Sequence, residues 1–188
     1  MALNRAACER RAYRLATLLT GDPVGAVRVL EAIERSQPDL RAIASARLDR
    51  LTILRSREVT AGPLPAEALG ADAARAIADL ATQPREAWLL IRAYGLPLRE
   101  TARAMDCSVT ATKRHIELAD RRMAAILDGD GVVRAIEALR AYSKSLRLPE
   151  HLAAHRERRR HNGRVLTLIG MILVVVLLMA VVDWLSPG

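Results

Sequence analysis

Apolar residues recur at helical spacing from Leu3 onward, and polar or conformationally special residues interrupt them at well-separated points. The first segment spans about Leu3 to Leu19 and stops at "TGDP". Asp22 is placed to cap a second helix from Pro23 to about Arg35. "QPD" ends that helix, and Asp39 is placed to cap a third that reaches about Glu58. Val59 to Gly70, "VTAGPLPAEALG", has no helical period and is read as a linker. A second helical group begins near Ala71, breaks at "TQP", resumes at Pro84 and ends at Gly95, the residue expected at a left-handed C-cap.

The stretch that follows predicts a helical hairpin. Leu98 to Met105 forms its first helix, with Leu98, Ala102 and Met105 on one face, and "DCS" makes the turn. Ser108 is placed to cap a long second helix from Val109 to about Leu127, in which Ile116, Ala119, Met123 and Ile126 point inward. The opposite face carries Thr110, Lys113, Arg114 and Glu117. A recognition helix reads base edges with its first turns and meets phosphates farther along. The hairpin's candidate DNA-binding residues are therefore Ser108, Thr110, Lys113, Arg114, His115, Glu117, Arg121 and Arg122.

Helical patterning resumes from Gly131 to about Leu148 and from Glu150 to Arg160. Val165 to Val182 then runs for 18 residues without a charge, enough for roughly 27 Å of helix, close to the hydrocarbon thickness of a bilayer. Residues 165–185 are read as a single transmembrane helix. The basic flank Arg156, Arg158, Arg159, Arg160 and Arg164 precedes it and Trp184 stands at its far end. By the positive-inside rule the preceding residues lie in the cytoplasm, which makes this a single-pass inner-membrane protein. No signal peptide is expected ahead of an N-terminus already charged at Arg5, Glu9, Arg10 and Arg11.

Composition agrees with an all-α fold. Phe is absent, and two Trp and three Tyr are the whole aromatic content, so Leu, Ile, Val, Met and Ala must build the core. All 29 Lys and Arg precede the apolar run, a balance that suits DNA or an anionic membrane face. Cys8 and Cys107 form no CxxC pair and are expected as small buried hydrophobes. His151 and His155 have the i, i+4 spacing of metal ligands, but "HLAAH" lacks the glutamate of the zinc protease motif and no further ligand stands close by. No metal or cofactor is expected. With no phosphate-cradling glycine loop, nucleophile motif or paired carboxylates, the chain reads as a non-enzyme.

"QPREAWLLIRAYGLPLRETARAMDCSVTATKRHIELADRRM" resembles the C-terminal domain of extracytoplasmic-function (ECF) sigma factors of bacterial RNA polymerase. Pro84, Gly95 with Leu96, Ala102, Ser108 with Val109, Lys113 and Ile116 carry the resemblance. Upstream, "AYRLATLLTGDPVGAVRVLEAI" and "IASARLDRLTILRSREV" look like the family's N-terminal helices. The resemblance implies two small helical domains, a three-helix bundle over 1–58 and a helix-turn-helix domain over 71–128. A linker over 59–70 joins them, and a connector over 129–164, the span over 165–185 and a short tail over 186–188 follow. It also implies promoter DNA and core RNA polymerase as partners, with an anti-sigma factor as a further candidate.

Three departures stand against that pattern. Thr101 and Thr112 occupy positions where the family places buried Ile and Val, and their hydroxyls must bond back to their own helix. The family's acidic second helix reads "GAVRVLEAIER" here, with Arg28 near the acidic positions and only Glu31 and Glu34 remaining. No aromatic residue lies between Tyr13 and Trp88 to stack an unpaired base. Two functions remain open: a membrane-tethered ECF-like sigma factor, and a sigma-like interaction protein or decoy that binds an anti-sigma factor or polymerase without melting promoters.

Overall fold

The computed structural model describes residues 5–149, all helix, turn and loop without a strand among them. Arg156, Arg158, Arg159, Arg160, Arg164 and Trp184, the apolar run and the pair His151 and His155 lie outside the described residues. No helix among the described residues is long and apolar enough to cross a membrane.

The first three helices pack against one another. Helix α1 (Arg5–Thr20) is followed by α2 (Pro23–Ser36), whose first turn is held by Asp22 accepting from the Val24 and Gly25 amides. Asp39 caps only a short 3-10 turn, Leu40–Ala42, and α3 begins afresh at Ser45 and runs to Ser56. This corrects the expected continuous third helix. Helix α3 buries Leu48, Thr52, Ile53 and Ser56; at about 100° per residue, an unbroken helix would carry Leu40 and Ile43 roughly 150° from that face. The break lets both reach the core, where they are buried.

Residues 59–70, expected as a linker, lie against the bundle. The Gly62 amide donates to Thr20 O at 2.7 Å, Leu64 and Leu69 are buried, and α4 (Ala66–Leu69) forms a single turn. Gly21 makes this approach possible: its φ is +72°, and a Cβ there would stand 2.2 Å from Gly62 O.

Helix α5 (Ala71–Ala78) and α6 (Thr82–Trp88) lead into a π turn, Leu89–Ala93, and Gly95 reverses the chain at φ +80°. The wider turn suits a segment buried on several sides, since Trp88, Leu89 and Leu90 are consecutive and all fully enclosed. Helix α7 (Leu98–Met105) and α8 (Val109–Ile126) form the expected hairpin, and α9 (Gly129–Ser145), capped by Asp128, packs back against α1 and the π turn.

The two helical groups expected from the sequence share one core. Leu15, Leu18, Leu19 and Ile53 from the first join Trp88, Leu89, Met123 and Leu139 from the second. Residues 5–148 form a single compact unit, because the short apolar faces of each group are covered by the other. Polar groups cross the same boundary: Arg57 grips Glu86 through two bonds of 2.9 and 2.7 Å, and Arg50 meets Asp106 at 3.0 Å.

Buried hydroxyls on these helices return to the carbonyl four residues back, as at Thr17 to Tyr13 O (2.9 Å) and Thr52 to Leu48 O (2.8 Å). Thr112 follows the rule, donating to Ser108 O at 3.0 Å. Thr101 does not: its hydroxyl is buried with no hydrogen-bond partner among the described residues, against the expected back-bond. Thr101→Val keeps the shape and removes that orphan, so chemical denaturation should find the variant more stable by about 1 kcal/mol. Gly21→Ala should lose more than about 2 kcal/mol in the same assay, because left-handed strain and the approach of Gly62 add.

Candidate nucleic-acid interface

The hairpin turn is fixed by three local devices. Asp106 closes α7 in the left-handed region at φ +59°, which a short polar side chain tolerates better than most. Ser108 opens α8, its hydroxyl accepting from the Ala111 amide at 3.1 Å. Cys107 packs between them with its sulfur 3.0 Å from the Thr112 hydroxyl, so this thiol is half-buried, whereas Cys8 is fully enclosed as expected.

Helix α8 is held from behind. Ile116, Ala119 and Met123 are buried as the spacing requires. Ile126 is not; it is exposed in the last turn, because Leu127, extended beyond the helix end at φ −113° and ψ 144°, makes the core contact instead. Asp120, a residue the sequence reading passed over, sets the helix's rotation. One carboxylate oxygen accepts from the Trp88 indole at 3.0 Å and the other from Arg92 at 2.6 Å. The available signal was Trp88, set within an apolar helical run of an aromatic-poor chain, whose N–H requires an acceptor once buried.

With the rotation fixed, the candidate residues fall into two sets. Thr110, Lys113, Arg114, Glu117 and Arg121 are exposed and, at about 100° per residue, occupy one stripe opposite the buried face. Ser108 sits exposed at the head of that stripe. His115 and Arg122 lie about 120° or more around the helix from Thr110; His115 is half-buried and Arg122 faces solvent away from the stripe. Among the described residues no ion pair engages Lys113, Arg114, Arg121 or Arg122, so the stripe's positive charge is uncompensated apart from Glu117. The N-terminus of α8 adds its partial positive charge at the same end.

This geometry is a short supporting helix, a tight turn and a longer helix that presents its first turns to solvent. Residues 71–123 match the Sigma-70, region 4 family. The match takes in α5, α6, α7 and most of α8, just over a quarter of the chain. It supports a sigma-factor-like role in DNA binding and transcription initiation. No curated protein matches the chain. Among the described residues, no group of His, Cys, Asp or Glu is arranged to hold a metal ion.

The α3 face beside the region 4 module adds cations that the hairpin reading did not include. Arg47 and Arg50 on α3 and Arg103 on α7 line an open groove of about 900 Å³ that reaches Ser108. Only spatial packing of α3 on α7 brings them together; nothing in their spacing along the chain signals it.

Ser108→Ala removes the α8 cap and should lower stability by about 1 kcal/mol, while Ser108→Asp, which caps equally well, should hold it within a few tenths. Equilibrium denaturation of both variants checks the pair.

Proposed function

We propose that the chain is a membrane-tethered, ECF-like sigma factor that binds promoter DNA through the helix-turn-helix and engages core RNA polymerase in transcription initiation. The observation that carries this is the match of residues 71–123 to Sigma-70, region 4, on a hairpin whose second helix leaves a basic stripe open. In this reading Lys113 and Arg114 meet base edges, with Ser108, Thr110 and Glu117 around them, and Arg121 meets phosphate, while His115 and Arg122, turned away from the stripe, take no part. Residues 1–58 act as the polymerase-facing module, 59–70 as the connection between modules, and 129–164 as the lead to the membrane.

Tethering rests on the uncharged run Val165 to Val182 and its arginine flank. The protein is then a single-pass protein of the inner membrane with its helical modules in the cytoplasm. An anti-sigma factor is a natural partner for such a chain. Protease treatment of spheroplasts and of inverted vesicles tests the topology: an N-terminal tag cleaved in intact spheroplasts would sink it.

A second reading is favoured by one feature of the first module. Of the two acids left on α2, Glu34 is half-buried beside Arg5 at 3.6 Å, and Glu31 alone stands open near the exposed Arg28. Such a surface suits a decoy that binds an anti-sigma factor or polymerase without melting DNA.

Genome-wide crosslinking of the tagged chain, with polymerase occupancy recorded alongside, separates the two. A sigma factor gives sharp peaks at promoters, and Lys113→Ala with Arg114→Ala should erase them, each change costing about 1–3 kcal/mol of promoter affinity. Arg121→Ala should instead weaken all sequences alike and reduce the salt slope by about 1. A flat map from a folded, membrane-bound protein would favour the decoy.

A further inference from the structure

Away from the recognition stripe, α1 and α9 form the walls of an open groove of about 520 Å³, with the π turn at its base. Its charged residues are Arg10, Arg11 and Arg14 from α1 and Arg140 and Lys144 from α9, and no carboxylate lines it. Arg10 and Arg14 are spaced i, i+4 on one wall, and Arg140 and Lys144 are spaced i, i+4 on the other. Like charges at that spacing destabilise a helix, and here two such pairs face each other.

The five cations are not equivalent. Arg11 is satisfied: it holds Asp49 through bonds of 2.8 and 2.6 Å, with its guanidinium 5.4 Å from the centre of the Tyr94 ring. The carboxylate raises the Arg11 pKa, and burial pushes the Tyr94 phenol up to about 12, so both keep their charge state at neutral pH. Arg10, Arg14, Arg140 and Lys144 enter no ion pair among the described residues. Arg14 and Arg140 are aimed by backbone carbonyls, Arg14 Nη2 donating to Lys144 O at 3.0 Å and Arg140 Nε to Arg92 O at 2.9 Å. Capping the end of α9 accounts for Arg14 in part. It does not account for Arg10, Lys144 or the free donors of Arg140.

Ala7, Ala93 and Gly95 keep the base of the groove clear, and a Cβ at Gly95 would meet nothing within 4 Å. Guanidinium groups held by backbone carbonyls and lining one cleft match the oxygens of phosphate. Four unpaired cations with no carboxylate among the lining residues, in a groove of about 520 Å³, exceed the charge of a single phosphate and suit a chain of linked phosphates. We infer that this groove binds a small soluble compound carrying two or more linked phosphates, which joins α1 of the first helical group to α9 behind the second. The site is independent of the proposed promoter contacts and shares no residue with them.

Sodium tripolyphosphate is the probe, added to the full chain in a non-ionic detergent. Calorimetry should show saturable binding, and the melting temperature should rise by about 5 °C at a hundredfold excess over Kd. Sodium chloride at equal ionic strength should not reproduce the shift. Arg10→Glu with Lys144→Glu, both exposed positions, should weaken binding by at least about tenfold while the unliganded melt stays near that of the parent. Lys113→Ala with Arg114→Ala should leave binding unchanged. An absence of saturable binding, a loss caused by the α8 variant, or insensitivity to the groove variant would overturn the inference. Binding to micelles doped with a phosphoinositide but not to tripolyphosphate would also overturn it, assigning the groove to a lipid headgroup.

Discussion

The bond from the Trp88 indole to Asp120 governs how the rest of the structure is presented. Trp88 is completely enclosed, and an indole N–H in an aliphatic core must find an acceptor or forfeit the solvation it had in water. Asp120 supplies it from α8, and its second oxygen is taken by Arg92 at the edge of the π turn. A carboxylate held at both oxygens leaves α8 one rotation about its axis. That rotation puts Ile116, Ala119 and Met123 inside and turns Lys113, Arg114 and Arg121 outward. The outward stripe is therefore a consequence of a part-buried contact on the flank of the same helix, between the stripe and the buried face.

The second constraint is scarcity of large apolar side chains. Without Phe, neither helical group holds enough bulk to close a core alone, and the small residues that replace it let helices come close. Sharing one core resolves this, and it carries polar chemistry with it. Glu86 is almost fully enclosed and is tolerated there because Arg57 meets both of its oxygens. Gly21 and Gly62 let the connecting segment lie flat across the end of α1, which anchors the boundary between the groups.

Where the sequence was legible, a local device was doing the specifying. The α2 start shows in Asp22 and Pro23, the hairpin in Leu98 to Met105, Asp106 and Ser108, and the end of the π turn in Gly95, because each is decided by contacts within a few residues. The break before α3 was not legible, since it depends on which face of α3 the other helices cover. The ordered segment from 59 to 70 was missed for a related reason: Gly and Pro mark an irregular backbone but do not say whether that backbone is packed. Within the site, residue type alone grouped His115 and Arg122 with the stripe, and the angular position of each about α8 separates them. Ile126 and Thr101 failed at the finest level, where a single neighbour, Leu127 in one case and an absent acceptor in the other, decides the outcome.

Shared packing also constrains how the two groups act. The α8 stripe is open as the protein stands, so contact with a polyanion there requires no rearrangement. The α3 surface is different, because part of it is covered by α7, with Arg50 paired to Asp106 at the end of α7 and Arg57, just past α3, paired to Glu86 of α6. A partner that needs that covered face must first separate α3 from α6 and α7. Separation would return Arg57 and Glu86 to water together, which costs far less than deleting one of them and stranding the other. The ion pairs therefore set a modest threshold, and the larger cost is the apolar surface of Leu15, Leu18 and Ile53 that would lose its partners. Reading through α8 and any use of the covered side of α3 are thus separate events, and only the second is coupled to opening the common core.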